Sequence, residues 1–529
     1  MAIHPPPIEV SINIVMWGTS CYNKLNMIVA LLGSSGHVGF PTLLEFIKLE
    51  EVDKVKVLLG YKFKRNGLVE KLAKKHPDKI EIMYGDIANK DDIRNLVNGA
   101  SYLFNLSGVI PPKSDRYPNL SYLANELGVK NIVSVLEEMP SVKFIDISTM
   151  ALYGHREPKN PFIRVGDPLL GGVYDFYTTH KIRAEFAILE SNIPYFTIIR
   201  QTAMIYRDML TSNLSDGLIF HTPFNGPLEW STDEDTARLF ASIVREDIKG
   251  NLNYDNFWRK VFNLGGGEES RVTSYETLQC GFALFGKQTK KIYQPHYNAT
   301  RNFHGGYFVD GNYLEDLFHY RQDNFYDYWN KILASHRYLS LAKIVPSKLI
   351  KKFAIERIFK NSNAPIYWYR HNDEARMIAF FGGKEKYEAI PHNWDNYELW
   401  DFKANRSLTH YKPIDYGFNI DKNDKDITFE DLKNVAQKHG GKLLSTSFKT
   451  GDVYAKLEWE NSDGEVFIAR PYTILRGGHW LNPLYKDFVW DFDRLAKKDE
   501  IYAAFWYDSH EKDEHNCYYF DENLEAKIR

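Results

Sequence analysis

The sequence predicts a doubly wound α/β fold over residues 27–205, on three observations. Strand-length runs rich in Val, Ile and Leu alternate with helix-length amphipathic stretches, the rhythm of strand–helix–strand crossovers. The apolar runs lack polar alternation, as expected of strands covered on both faces. The first run ends in a glycine-rich turn that opens a helix, which places a ligand crevice at the carboxyl ends of the strands.

The elements follow in chain order. MIVALLG (27–33) is the first strand, and VGFPTLLEFIKLEE (38–51) behind it has helical spacing. VKVLLG (55–60), KIEIMYGDI (79–87), SYLFNLSG (101–108), VKFIDIST (142–149) and YFTIIRQ (195–201) read as strands two to six. Helical stretches at 66–76, 90–98, 120–138 and 177–190 separate them. Residues 1–26 form an extension ahead of this unit, and residues 206–315 mix short strands and helices into a smaller lobe. Residues 316–400 turn helical, aromatic and basic, and 401–426 is a polar linker. Residues 427–529 read as a C-terminal α+β unit. Its first helix has Thr428 as a plausible N-cap, acids in the first turn and glycines at its end.

Composition narrows the class. Among 529 residues, 66 basic side chains nearly cancel 69 acidic ones, which excludes a generally polybasic nucleic-acid binder. Cys21, Cys280 and Cys517 lie too far apart for a disulfide framework or a four-cysteine zinc site, so no metal is expected. No run of 18 apolar residues occurs, and the N-terminus has no basic segment followed by an apolar one. These features read as a soluble, cytoplasmic protein, and a homodimer is compatible with them.

The turn is Gly33-Ser34-Ser35-Gly36-His37-Val38-Gly39. Its first glycine permits the tight turn, its second lets a pyrophosphate approach the backbone, and its third lets helix and strand pack closely. A strand–turn–helix at the head of such an alternation predicts a dinucleotide. An acid at the end of the second strand would bind a ribose 2′-hydroxyl. Here Leu58-Leu59-Gly60 runs instead into Lys62, Lys64 and Arg65, which suit a 2′-phosphate; NADP(H) is favoured and NAD(H) stays open.

The fifth strand ends Ser148-Thr149, and Tyr177-Thr178-Thr179-His180-Lys181 follows on a helical segment. Tyr177 and Lys181, four apart, share one helix face. A lysine cation beside the phenol would lower its pKa and make it a proton acceptor, while Thr149 steadies charge on the same substrate oxygen. Lys181 could also reach the nicotinamide ribose.

With these motifs in order, the chain resembles the extended short-chain dehydrogenase/reductase family, in its NAD(P)-dependent epimerase/dehydratase branch. The resemblance covers roughly residues 27–300 and rests on GSSGHVG, GDI (85–87), NLSG (105–108), NELGVKNI (125–132), STMALYG (148–154), YTTHK (177–181), IIRQTAMIY (198–206) and FNLGGGE (262–268). It implies a Rossmann-like fold with a substrate lobe and the activity of a nucleotide-sugar epimerase or reductase. Asp86 and Ile87 would touch the adenine, Leu106, Ser107 and Gly108 would line the cofactor's path, and Thr149, Tyr177 and Lys181 would be catalytic. Ser148 would face the substrate, and Asn125 would be structural. The sugar 4,6-dehydratases of this family carry an Asp-Glu pair after the threonine; Met150 and Ala151 stand there, against dehydration by that route.

Other readings stay open. Arg301 is a candidate for a substrate diphosphate, with His304 a second contact; Trp230 and Asp235 read as packing and a helix-start acid. The stretch 341–360 holds six cations against Glu356 and an apolar stripe of Leu349, Ile350, Phe353, Ala354 and Ile358. It fits either a cover for the protein's own core or a peripheral contact with an anionic membrane. The C-terminal unit faintly resembles zinc-ribbon-like modules without their cysteines, held by Trp459, Trp480 and Trp490. Beyond nucleotide-sugar chemistry, a silent dinucleotide sensor and an NADPH reductase of a non-sugar carbonyl remain alternatives.

Overall fold

Alternate side chains of the first strand enter two different cores, Val29 and Leu31 one, Ala30 and Leu32 the other. That is the period of two of a strand with no solvent face. The computed structural model describes residues 27–61, 63–209, 216–401, 406–480 and 490–514. The extension at 1–26 and Lys62 therefore lie outside the described residues.

The strands are β1 (Ile28–Leu32), β2 (Lys54–Leu59), β3 (Ile80–Tyr84), β4 (Tyr102–Asn105), β5 (Lys143–Thr149), β6 (Phe196–Gln201) and β7 (Lys260–Leu264). They form one parallel sheet in the order β7-β6-β5-β4-β1-β2-β3. The order reverses between β1 and β4, which opens the crevice at their carboxyl ends. Helices α1 (Gly39–Lys48), α2 (Asn66–Lys75), α3 (Lys90–Val97), α4 (Gly128–Glu138), α5 (Phe176–Leu189) and α6 (Asp233–Ile248) cover the faces. The stretch read as one helix at 120–138 contains a wide turn, Tyr122–Leu127, ahead of α4.

The lobe is built on a three-stranded sheet of Ala203–Ile205, Pro227–Thr232 and Arg271–Thr273. Trp230 is buried in it, and Asp235 sits in the first turn of α6 paired to Arg238, as the sequence indicated. Helix α7 (Phe429–Lys438) has the expected N-cap: the Asp431 amide donates to the Thr428 hydroxyl at 3.3 Å, and the Thr428 amide donates back to the Asp431 carboxylate at 2.7 Å. Leu432, Val435, Trp459, Trp480, Phe492 and Trp506 then join the same core as Ile188, Leu189 and Phe196, so the C-terminal unit completes one face of the sheet. Trp490 belongs elsewhere, against Phe176 and Tyr174.

A buried ion pair locks these parts together. Arg200 on β6 donates from Nε to Glu185 on α5 at 2.8 Å, from Nη1 to the Tyr153 hydroxyl at 2.7 Å, and from Nη2 to the Gly477 carbonyl at 2.6 Å. Neither charged side chain is more than 1 % exposed. The Tyr153 hydroxyl donates onward to Asn263 on β7 at 2.9 Å. Removing one member leaves the other charge buried and unpaired. Arg200→Ala is therefore expected to cost about 3–5 kcal/mol of stability, read from denaturant unfolding; a change within ordinary surface-substitution range would contradict this role.

Candidate active site

The glycine turn sits at the crevice. Gly33 has a φ of +78°, and a Cβ there would lie 2.5 Å from the Leu106 backbone. A Cβ on Gly39 would lie 2.0 Å from the Gly33 carbonyl oxygen, so the helix start and the turn close directly on each other. The Gly36 amide donates to the Gly33 carbonyl at 2.8 Å. Inside the turn, the Ser34 hydroxyl is buried with no hydrogen-bond partner among the described residues. A buried hydroxyl without a partner is costly, and a phosphate oxygen would satisfy it. The cradle therefore fits a dinucleotide pyrophosphate.

The surrounding residues agree with that fit in part. Arg65 donates from Nε to the Ser35 carbonyl at 2.9 Å and pairs with Asp208 at 3.4 Å, which fixes it at the edge of the turn; Lys64 is exposed. His37 stacks on Tyr206 with centroids 3.9 Å apart, and burial holds its pKa down at about 4, so it is neutral at physiological pH. Val38 directly precedes α1, and Asp86 is exposed just past β3 with Ile87 beside it. Leu106, Ser107 and Gly108 follow β4 directly. The Ser107 hydroxyl donates to Asn105 at 2.5 Å, and the Asn105 amide to Asp146 at 2.7 Å. Asn125 is structural: its side chain takes the Val109 amide at 2.8 Å and donates to the Val109 carbonyl at 2.9 Å, pinning the loop after β4.

Thr149 and Tyr177 meet. Thr149 ends β5, Tyr177 lies in the first turn of α5, and their hydroxyls hydrogen-bond. Lys181 departs from expectation. Its Nζ donates to the Ile147 carbonyl at 2.8 Å, and its charge acts on the buried Asp146. The Tyr177 phenol is accordingly raised in pKa, by burial first and by the charges of Asp175 and Asp146, with only the Thr149 bond pulling it down. One turn along α5, the lysine bonds the β5 backbone.

Two expected substrate contacts are corrected. Ser148 and Thr149 point to opposite faces of β5; the Ser148 hydroxyl donates at 3.3 Å to Glu185 and is buried below the crevice. Arg301 is 5 % exposed and spends its guanidinium on the Ile378, Ala379 and Ser509 carbonyls and on Glu514, so it clamps segments together and is not part of the cavity lining.

A cavity of about 760 Å³ opens beside Tyr177. Its roof comes from the 316–400 segment, through Trp368, Arg376 and Phe380, with His304 and His221 from the lobe. Burial lowers His304 to about 4, so it is a neutral imidazole there. The two guanidinium groups on the wall are already paired, Arg116 with Asp216 and Arg376 with Asp373 at 2.6 Å. Tyr174, at φ +60°, holds a left-handed conformation costly for a side chain of its size, and Trp490 and Arg376 pack on its ring.

Sequence reasoning missed the carboxyl pair of this cavity. Asp175 is the N-cap of α5, accepting from the Thr178 amide at 3.0 Å, and Asp115 lies on the short helix Lys113–Arg116. Burial pushes Asp175 up to about 6, while burial and the Asp175 charge push Asp115 up to about 8. The apolar break before an N-cap Asp in Val173-Tyr174-Asp175-Phe176 was the available signal for one of them. Nothing local marked the other.

Residues 30–206 match the model of the 3-beta hydroxysteroid dehydrogenase/isomerase family. No curated protein matches the chain. Among solved structures, dTDP-glucose 4,6-dehydratase from Bacillus anthracis with NAD is similar at 16 % identity, covering 59 % of this chain and 97 % of its own, with a TM-score of 0.48. UDP-glucuronic acid 4-epimerase from Bacillus cereus with NAD is similar at 16 %, covering 60 % and 99 %, with a TM-score of 0.45. UDP-glucose 4-epimerase from Bifidobacterium longum with NAD+ and UDP is similar at 14 %, covering 60 % and 100 %, with a TM-score of 0.47.

The carboxyl pair gives a pH signature. In the folded chain Asp175 and Asp115 hold protons up to about pH 6 and about pH 8, where the unfolded chain has released them. Stability falls with rising pH wherever the folded state binds more protons. The pair therefore withdraws stability between about pH 4 and about pH 8, while histidines such as His37 and His304, held at about 4 by burial, add stability as pH rises to about 6.5. Relative to the native chain, Asp115→Asn should make the thermal midpoint fall less between about pH 6 and about pH 8. An identical slope in native chain and variant would contradict the shared cavity environment.

Proposed function

From the match of residues 30–206 to the 3-beta hydroxysteroid dehydrogenase/isomerase family, we propose that the chain is an NAD(P)-dependent oxidoreductase of a secondary alcohol or ketone, of the extended short-chain dehydrogenase/reductase type. The single observation that carries this reading is the Thr149–Tyr177 hydroxyl pair, with Thr149 at the carboxyl end of β5 and Tyr177 on the cavity wall, in the same sheet whose first strand ends in the glycine turn. Bound in that crevice, the dinucleotide supplies or accepts the hydride.

The chain's own residues do the rest. Tyr177 holds the substrate oxygen and passes its proton, and Thr149 shares that oxygen and steadies charge on it. Lys181 keeps two further N–H donors beside its bond to the Ile147 carbonyl, available to the phenol side or the nicotinamide ribose. From its present place it acts through Asp146, Asn105 and Ser107, the network under the loop after β4. Arg65 beside Ser35 and the absence of an acid after β2 support NADP(H) over NAD(H).

For the substrate, the cavity supports a largely apolar ring-bearing carbonyl compound. Trp368, Phe380 and Phe176 supply flat apolar walls, and both guanidinium groups already have aspartates. The match to a family named for 3-beta hydroxysteroids is in keeping with this. Arg116, half exposed, supports a second reading, a nucleotide-linked sugar epimerised or reduced, in which a diphosphate would draw it from Asp216.

Incubating the purified chain with ring ketones and with nucleotide sugars, with NADPH and with NADH, separates these outcomes. Net oxidation of NADPH by a ring ketone supports the first; interconversion of a nucleotide sugar without net consumption supports the second. Tyr177→Phe should lower turnover by about 10²–10⁴-fold while cofactor affinity, read by fluorescence titration, stays near native; retained turnover would refute the assignment. Arg65→Ala should weaken NADPH about tenfold, roughly one lost charge-assisted contact, and leave NADH unchanged. Equal effects on the two would remove the NADP preference.

A further inference from the structure

The segment read as either a core cover or a membrane contact is only half a cover. Ile355, Ile358 and Phe359 are buried, packed with Phe220 and Tyr297. The other apolar side chains stay outside: Leu341 is 69 % exposed, Ile344 86 %, Leu349 45 % and Phe353 65 %. Single exposed apolar residues are ordinary, but four large ones stand within thirteen positions of one segment, two on Arg337–Ile344 and two after Pro346, a concentration of the kind that marks an interaction site.

The patch is held rigidly from behind. Lys287 donates to the Lys343 carbonyl at 2.9 Å and the Val345 carbonyl at 2.5 Å, closing the end of the helical run Arg337–Ile344 against the lobe. Its rim is positive. Lys343, Lys348, Lys352 and Lys360 are exposed and have no carboxylate partner among the described residues. The one acid of the segment, Glu356, borders the cleft beside Tyr297 and His296.

Exposed apolar side chains interspersed along one segment with lysines that have no carboxylate partner complement one surface in both respects, the interface of an anionic bilayer. No helix among the described residues is long and apolar enough to cross a membrane, so such contact is peripheral. We infer that Leu341, Ile344, Leu349 and Phe353 insert into the headgroup region of an anionic lipid surface, with the surrounding lysines on its phosphates.

The test uses the full chain in co-sedimentation with vesicles of phosphatidylcholine alone and of phosphatidylcholine with about one-third phosphatidylserine. The native chain should pellet with the anionic vesicles and lose that binding as salt rises. Ile344→Asp/Phe353→Asp should lower partitioning at least about tenfold, and Lys348→Glu/Lys352→Glu should abolish the preference for phosphatidylserine. All four positions are at the surface, so thermal midpoints near native will show the variants folded. Failure of the native chain to bind anionic vesicles overturns the inference, as does equal binding by the variants. A dimer in sedimentation velocity that the Ile344→Asp/Phe353→Asp variant dissolves would assign the patch to a second copy of the chain and overturn it too.

Discussion

The Arg200–Glu185 pair is the constraint from which the site takes its shape. An isolated charge in this interior would cost several kcal/mol, so each member requires the other and the hydrogen bonds around them. Those bonds reach β5 through Ser148, β7 through Tyr153 and Asn263, and the C-terminal unit through Gly477. Glu185 stands on the helix that carries Tyr177 and Lys181, so the same pair sets the height of that helix against the end of β5. Geometry at the Thr149–Tyr177 contact is thereby tied to residues nearly three hundred positions downstream.

The second half of the chain contributes more to the cavity than its lack of motifs suggests. Trp368, Arg376 and Phe380 roof the space beside Tyr177, and Arg301 holds that roof by bonding the Ile378 and Ala379 carbonyls while Glu514 neutralises it. A guanidinium spent this way cannot serve a diphosphate. The cavity it leaves is aromatic, with acids in place of free cations, and this bears on substrate choice more directly than the fold does. The Asp115–Asp175 pair gives the same space a group able to hold a proton near neutral pH.

The strands of the sheet were legible to within a few residues because unbroken Val/Ile/Leu runs of that length have few other stable fates in water. Thr428 was legible as an N-cap because its bonds are local, three residues away. β7 was not read as a strand, since Lys260 and Asn263 interrupt its apolar residues and leave no unbroken Val/Ile/Leu run in Lys260–Leu264. Ser148 could not be told from Thr149 by type, and only the pleat of β5 sends one down to Glu185 and leaves the other at the crevice.

By itself the sequence determined the parallel sheet, the glycine turn and the helical spacing of Tyr177 and Lys181, all of which depend on neighbours within a turn or a strand. Tertiary structure alone decided where the Lys181 ammonium goes, which arginines are already paired, and that residues 316–400 close over the site. Those outcomes depend on burial and on partners tens to hundreds of residues away. Electrostatics in a desolvated interior is set by what surrounds a group in space, which residue order does not record.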